Sequence, residues 1–178
     1  VEKLSSNWFD LSSIAKGYAV QMLHEYLLQH KLDNHFIDIG GEIIINGNNN
    51  DNPWLVGIQN PLSLSNNASI VIEKNNIFLA IATSGEYRNF KADADGNKIS
   101  HTINPNSLKS IKHNVLSATV VHEISATYAD AYATAFNAMG ADLAIETANK
   151  NNIALMLIVQ NDNNLDIIYS KRWYDLVI

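Results

Sequence analysis

Asp130 and Thr134 stand four residues apart in Thr127-Tyr-Ala-Asp-Ala-Tyr-Ala-Thr-Ala135, a run otherwise built from Ala, Tyr and one further Thr. That spacing puts both side chains on one face of a helix. A carboxylate buried on an Ala-rich helix is costly unless it is paired or metal-bound. Oxygen-only donors from Asp and Thr suit a hard cation, Mg²⁺ or Ca²⁺, and not zinc. The plainer alternative is an Asp that caps its helix or joins an ion pair.

Three other segments hold polar residues that plain packing does not need. Asp10-Leu-Ser-Ser-Ile-Ala-Lys-Gly-Tyr18 crowds a carboxylate, two hydroxyls and a Lys at one helix N-terminus. Such a terminus offers free N–H groups and partial positive charge, which suits phosphate, although an ordinary N-cap and a surface Lys would read the same way. Ala82-Thr-Ser-Gly-Glu-Tyr-Arg88 follows an apolar strand. It is either a turn at a strand end or a loop that holds a ring or an anion. Ile99-Ser-His-Thr-Ile-Asn-Pro105 places His101 just before a Pro turn, as a structural His or as an acid or base.

The elements that position these residues follow from periodicity. Ile14, Ala15, Tyr18, Met22, Leu23, Tyr26 and Leu27 form an apolar stripe and predict a helix over 10–31, capped by Asp10, Ser12 and Ser13. Gly17 costs that helix about 1 kcal/mol relative to Ala, which is easier to tolerate where backbone must come close to something. Residues 35–46 predict a strand pair or bent strand, with Gly40-Gly41 as a bulge or a close approach to ligand. Residues 46–52 are an Asn- and Asp-rich turn. Further strands are expected at 54–59, 69–74, 77–83, 99–103 and 115–122, with a hairpin turn at Glu73–Asn76. Helices are expected at 126–138, ending at Gly140, and at 142–149, before a closing hairpin of 153–160 and 165–170. This order is not a regular βαβ alternation and predicts an α+β fold.

The 178 residues suit one domain or one lobe of a larger protein. The net charge is −6 with no basic stripe, which argues against nucleic acid as a partner. The absence of Cys excludes disulfides, thiolate metal sites and a Cys nucleophile in this chain. No apolar run reaches the roughly 20 residues of a membrane span, and no signal peptide is visible. The sequence starts without Met and runs straight into Trp8, Phe9 and Asp10, as expected of a fragment or a processed product.

Taken in order, these segments resemble the ApbE family of FAD:protein FMN transferases. The family pattern is D-L-x-x-x-A-K-G-Y, a G-G pair, T-S-G-x-Y-x-R or S-G-x-Y-R, H-x-I-D-P and an A-D-A-x-x-T-A helix. Here these stand at Asp10–Tyr18, Gly40-Gly41, Thr83–Arg88, His101–Pro105 and Ala129–Ala135, spanning nearly the whole chain. The resemblance implies a single flavin transferase domain over 1–178 that lacks the family's N-terminal portion. It implies a T-fold-like α+β architecture, with antiparallel-rich sheets flanked by helices and a nucleotide cleft between. The implied reaction is Mg²⁺-dependent transfer of FMN from FAD to a Thr or Ser hydroxyl of a target flavoprotein, with AMP released. Alternatives are an FAD pyrophosphatase giving FMN and AMP, or a flavin-binding module without catalysis.

The resemblance also implies roles. Asp130 and Thr134 match side-chain metal ligands, and Ser13 the position whose carbonyl completes the protein part of the site, for Mg²⁺ or Ca²⁺. Asp10, Lys16 and Thr102 match positions that contact the flavin nucleotide. Gly40, Gly41 and Glu42 match a turn near the cofactor, and Ser84 and Gly85 belong to the same binding set. His101 matches the general base on the acceptor hydroxyl. The expected acceptor is a flavoprotein subunit of a membrane redox complex. The expected location is the periplasm or the outer face of the cytoplasmic membrane, with a lipid anchor in the full-length protein. Two residues depart from the pattern: Asn104 stands where the family usually has Asp, and Asp38 where Asn is frequent. The N-terminal portion contributes part of the FAD pocket in the family, so weakened FAD binding is expected without it.

Overall fold

The structure, a computed structural model, describes residues 6, 10–59, 68–85, 91–92, 98–99, 103–104, 108–111, 113–161 and 164–178. The central element is a six-stranded antiparallel sheet in the order β1 (His35–Ile39), β2 (Glu42–Asn46), β5 (Leu79–Gly85), β10 (Val115–His122), β11 (Ala154–Asn161) and β12 (Asn164–Tyr169). A separate hairpin pairs β3 (Trp54–Gln59) with β4 (Ala68–Lys74). Two-residue strands β6 (Lys91–Ala92), β7 (Lys98–Ile99), β8 (Ile103–Asn104) and β9 (Lys109–Ser110) pair as β6–β7 and β8–β9. The helices are α1 (Ala15–Gln29), α2 (Ala126–Met139), α3 (Ala141–Lys150) and α4 (Lys171–Leu176). This is the expected α+β fold, with antiparallel sheets flanked by helices.

Both faces of the six-stranded sheet are covered, so alternate residues feed two cores. Ile44, Ala80, Ala82, Ala118, Val120, Leu155 and Leu157 face α1, α2 and α3, where they meet Val20, Ala129, Ala133 and Phe136. Ile45, Leu79, Ile81, Val121, Met156 and Ile158 face the β3–β4 hairpin and α4, where they meet Val56, Ile72 and Trp173. The helix side is rich in Ala on both surfaces, which lets α2 lie close to the sheet. The hairpin side is filled with larger aliphatic groups. β11 is buried over its first six residues, as a strand covered on both faces must be.

Several boundaries match expectation: β3 and β10 coincide with the predicted strands, α2 ends at Gly140, and β11–β12 form the closing hairpin. Four expectations are corrected. Helix α1 begins at Ala15 and not at residue 10, after a turn over residues 12–14. Its buried side is Gly17, Val20 and His24, while Tyr18, Met22, Leu23 and Tyr26 of the predicted stripe are exposed. The Glu73–Asn76 stretch is no hairpin turn, because β4 pairs with β3 and the chain crosses there to the main sheet. Helix α4, too short to show a periodicity, was not anticipated. Among the described residues no helix is long and apolar enough to cross a membrane.

Candidate active site

A cleft of about 840 Å³ lies where the start of α1, the β1–β2 turn, β3, the end of β5 and α2 converge. Its volume is within the roughly 300–1,000 Å³ usual for small-molecule sites. The residues singled out by type and spacing all reach it, as far as they are described. Asp10, Ser13 and Lys16 come from the turn and helix at the front of the chain. Gly40, Gly41 and Glu42 come from the β1–β2 turn, Ser84 and Gly85 from the end of β5, and Asp130 and Thr134 from α2. His101 and Thr102 lie outside the described residues.

The front of α1 is built in an unusual way. Its first residue is preceded by Ile14, which provides no side-chain cap. The predicted caps act elsewhere: the Asp10 carboxylate accepts from the Ser12 N–H at 2.8 Å, closing the turn before the helix. That bond holds the exposed Asp10 carboxyl below its ordinary pKa. The helix N-terminus is instead served from across the fold, where Asp130 Oδ2 accepts from the Gly17 N–H at 2.9 Å. Asp130 is thus a cap, as the plainer reading allowed, but on α1 and not on its own helix. Ser125 caps α2, accepting from the Tyr128 N–H.

Gly17 is where the two helices touch. A Cβ there would sit 2.4 Å from the Ala126 carbonyl oxygen and 2.6 Å from Asp130 Cβ, closer than real atoms approach. The close approach anticipated from a Gly inside a helix is therefore real, and its partner is α2. Asp130 is only 4% exposed. Burial raises its pKa, partly offset by the Gly17 N–H and the Lys16 charge.

On the opposite wall, β1 and β2 are joined by Gly40 and Gly41 in a two-residue turn, with φ of 62° and 98°. Positive φ at both positions marks the hairpin turn that Gly-Gly favours. The turn replaces the expected bulge. Asp38 Oδ1 accepts from the Gly41 N–H at 2.8 Å, a task that an Asn carbonyl oxygen performs equally well. Asp in place of Asn here is therefore harmless to the turn. Glu42 is 2% exposed and ion-paired with Lys16, whose ammonium also lies 3.5 Å from the Gly40 carbonyl oxygen. Burial raises the Glu42 pKa, the Lys16 contact lowers it, and the Asp130 charge raises it further. One cation thus stands between two buried acids.

The donor set fits a hard cation. Asp130 keeps Oδ1 uncommitted, Thr134 offers a hydroxyl on the same helix face, and Ser13 offers a carbonyl. Among the described residues no backbone N–H donates to that carbonyl, while the neighbouring bonds Ala15 N–H to Leu11 and Tyr18 N–H to Ile14 are both made at 2.9 Å. Among the described residues no three His, Cys, Asp or Glu side chains group closely enough to hold a metal ion. Pattern reasoning missed the contribution of β3, whose Val56, Ile58 and Gln59 line the cleft. An alternating strand carries no polar signature that would reveal it. It also missed the Thr83–Thr119 hydroxyl contact of 2.9 Å beneath the cleft, which depends on strand register.

Known proteins match this arrangement. The sequence model of the ApbE family matches residues 2–157. The chain is 37% identical over 157 residues to an FAD:protein FMN transferase of Vibrio cholerae, covering 88% of this chain and 46% of that protein. It is 39% identical over 158 residues to one of Haemophilus influenzae, covering 88% and 44%. The solved structure of the flavin transferase ApbE from Vibrio cholerae superposes with a TM-score of 0.79 at 33% identity, over 94% of this chain and 52% of that one. The chain thus spans about half the length of the curated relatives it matches.

Proposed function

From the membership of this chain in the ApbE family, we propose that it carries the nucleotide and cation site of an Mg²⁺-dependent FAD:protein FMN transferase. The observation that carries this reading is convergence: the described residues assigned to the site, drawn from four of the five motifs, all line one cleft.

In the proposed reaction an acceptor Thr or Ser oxygen bonds to the phosphorus on the FMN side of the FAD diphosphate. The bond from that phosphorus to the bridging oxygen breaks, and AMP leaves. The hydroxyl proton passes to His101, because a hydroxyl is a poor nucleophile until a base assists it. Lys16 places positive charge between the Gly40-Gly41 turn and Asp130, where diphosphate oxygens would lie. Gly40 and Gly41 keep that wall free of side chains. Asp130, Thr134 and the Ser13 carbonyl would hold the cation. A bound Mg²⁺ would supply neutralisation of the charge that develops on the phosphates. The acceptor as a flavoprotein of a membrane redox complex, and a location outside the cytoplasmic membrane, belong to the same proposal and rest on the resemblance.

The test is incubation with FAD, MgCl₂ and a target peptide that carries an acceptor Thr. A fluorescent peptide with equimolar AMP is expected. His101→Ala should abolish labelling while leaving FAD binding intact, as read by quenching of flavin fluorescence. Free FMN and AMP beside an unlabelled peptide would replace transfer by hydrolysis. Unchanged FAD would leave only a binding module.

A further inference from the structure

We infer that Glu42 is a positioning residue, whose buried carboxylate holds the Lys16 ammonium against the cleft wall for an incoming diphosphate. The inference rests on the reading of the cleft as a flavin-nucleotide site. Glu42 opens β2 and is buried, yet it lines the cleft. A buried carboxylate beside a diphosphate is at first sight the wrong charge, because like charges at short range cost affinity. Its partner explains it. Glu42 Oε2 is ion-paired with Lys16 Nζ, while the Lys16 side chain itself is 47% exposed. The acid is the fixed member of the pair, and the cation is the member open to a ligand.

The stem of Lys16 runs past the turn that precedes β2. Its Cδ lies 3.7 Å from where a Cβ on Gly40 would stand, and its Nζ lies 3.5 Å from the Gly40 carbonyl oxygen. A lysine carries a compact charge on a flexible four-carbon stem, so it needs a partner to stay in one place. Two buried carboxylates compete for it. Asp130 is near enough for the Lys16 charge to be felt, but among the described residues the two form no ion pair, and Asp130 Oδ2 already accepts from the Gly17 N–H. Glu42 thus draws the ammonium away from Asp130. That keeps Asp130 Oδ1 clear, and it leaves part of the ammonium's three donors open to phosphate oxygens. Without the Glu42 charge the tethered cation is free to swing into solvent or to fall on Asp130.

The experiment is a double-mutant cycle on FAD affinity, read by quenching of flavin fluorescence in EDTA. It compares wild type, Glu42→Gln, Lys16→Met and the double variant. Glu42→Gln keeps the shape and an acceptor oxygen but loses the ion pair. Ordering a free lysine stem on binding costs about tenfold in affinity, about 1.4 kcal/mol. A loss of about that size is expected for Glu42→Gln while Lys16 is present. In the Lys16→Met background the same change should cost nothing or tighten binding, because only the repulsion between carboxylate and diphosphate is then removed. Glu42→Asp, which keeps the charge on a shorter stem, should recover part of the loss. Wild-type or tighter affinity in Glu42→Gln would overturn the inference, since the carboxylate would then act on the diphosphate directly. An equal loss with and without Lys16 would overturn it too, as the mark of a merely structural role. Failure of the wild type to bind FAD would remove the flavin-nucleotide reading itself, and the inference with it. Should Glu42→Gln not fold, the Lys16 ¹⁵Nζ resonance of the wild type, assigned by its loss in Lys16→Met, decides. A resolved ammonium signal in slow exchange with water before FAD is added would support the pinned state. A signal averaged like those of the other lysines would refute it.

Discussion

Asp130 shows how a buried carboxylate burdens the fold that holds it. Its pKa is raised because burial penalises the ionised form more than Gly17 and Lys16 favour it. The folded chain therefore binds this proton more tightly than the unfolded chain does. The stability it contributes is present below the ordinary carboxylate pKa and is lost as pH rises through the raised value. At neutral pH the ionised side chain is a net cost. Asp130→Asn keeps an oxygen for the Gly17 N–H and removes the charge. It should raise the cation-free unfolding midpoint by about 2–4 °C, the change that about 1 kcal/mol makes in a chain of this size. The same variant should lose Mn²⁺ binding. A lowered midpoint by calorimetry would show that the hydrogen bond outweighs the buried charge.

At the scale of elements, α4 tests how the second core is closed. Trp173 is fully buried against Tyr169, with ring centroids 5.6 Å apart, and its indole N–H has no partner among the described residues. Trp173→Ala should cost about 3–5 kcal/mol in denaturant unfolding, as large aromatic truncations do. Trp173→Phe should cost much less, because it keeps most of the ring volume and removes an unsatisfied donor. Elements whose pattern reflects a single buried face were legible in the sequence, as β3 and α2 illustrate. Helix α1 was located but its orientation was misread, because it is apolar on two sides. Gly17, Val20 and His24 pack inward while Tyr18, Met22, Leu23 and Tyr26 face out, and composition does not rank two such faces. The Glu73–Asn76 turn was misread because turn residues mark a reversal without naming the strand that pairs next. The lining of the cleft was more legible than the fold, since Asp10, Lys16, Asp130 and Thr134 are polar where packing needs none. What stayed hidden was the bond between Gly17 and Asp130, which only the docking of α1 on α2 creates.

For the whole molecule, pH acts through histidines far from the cleft. His122 Nδ1 accepts from the Ile124 and Ser125 N–H groups at 3.2 and 3.1 Å, so the folded chain needs that nitrogen unprotonated. His24 Nδ1 lies 2.8 Å from His35 Nε2 in the joint between α1 and β1. Burial lowers both the His122 and His24 pKa values. Below the ordinary His pKa of about 6.5 the unfolded chain therefore takes up protons first, and stability falls with pH. His122→Asn retains an acceptor without the titration. Its stability should approach that of wild type as pH drops from 7 to 5.5 in urea titrations, and a constant gap would exclude His122 as a source of the loss. The length of chain between Gly17 and Asp130, 113 residues, has a further consequence during synthesis. At roughly 5–20 residues per second, Gly17 is made about 6–23 s before the residue that caps its N–H. Through that interval the inward side of α1, with Gly17 and Val20, is without its final neighbours on α2. The nascent chain is then at its most exposed, and a chaperone that recognises apolar helices would find its substrate there.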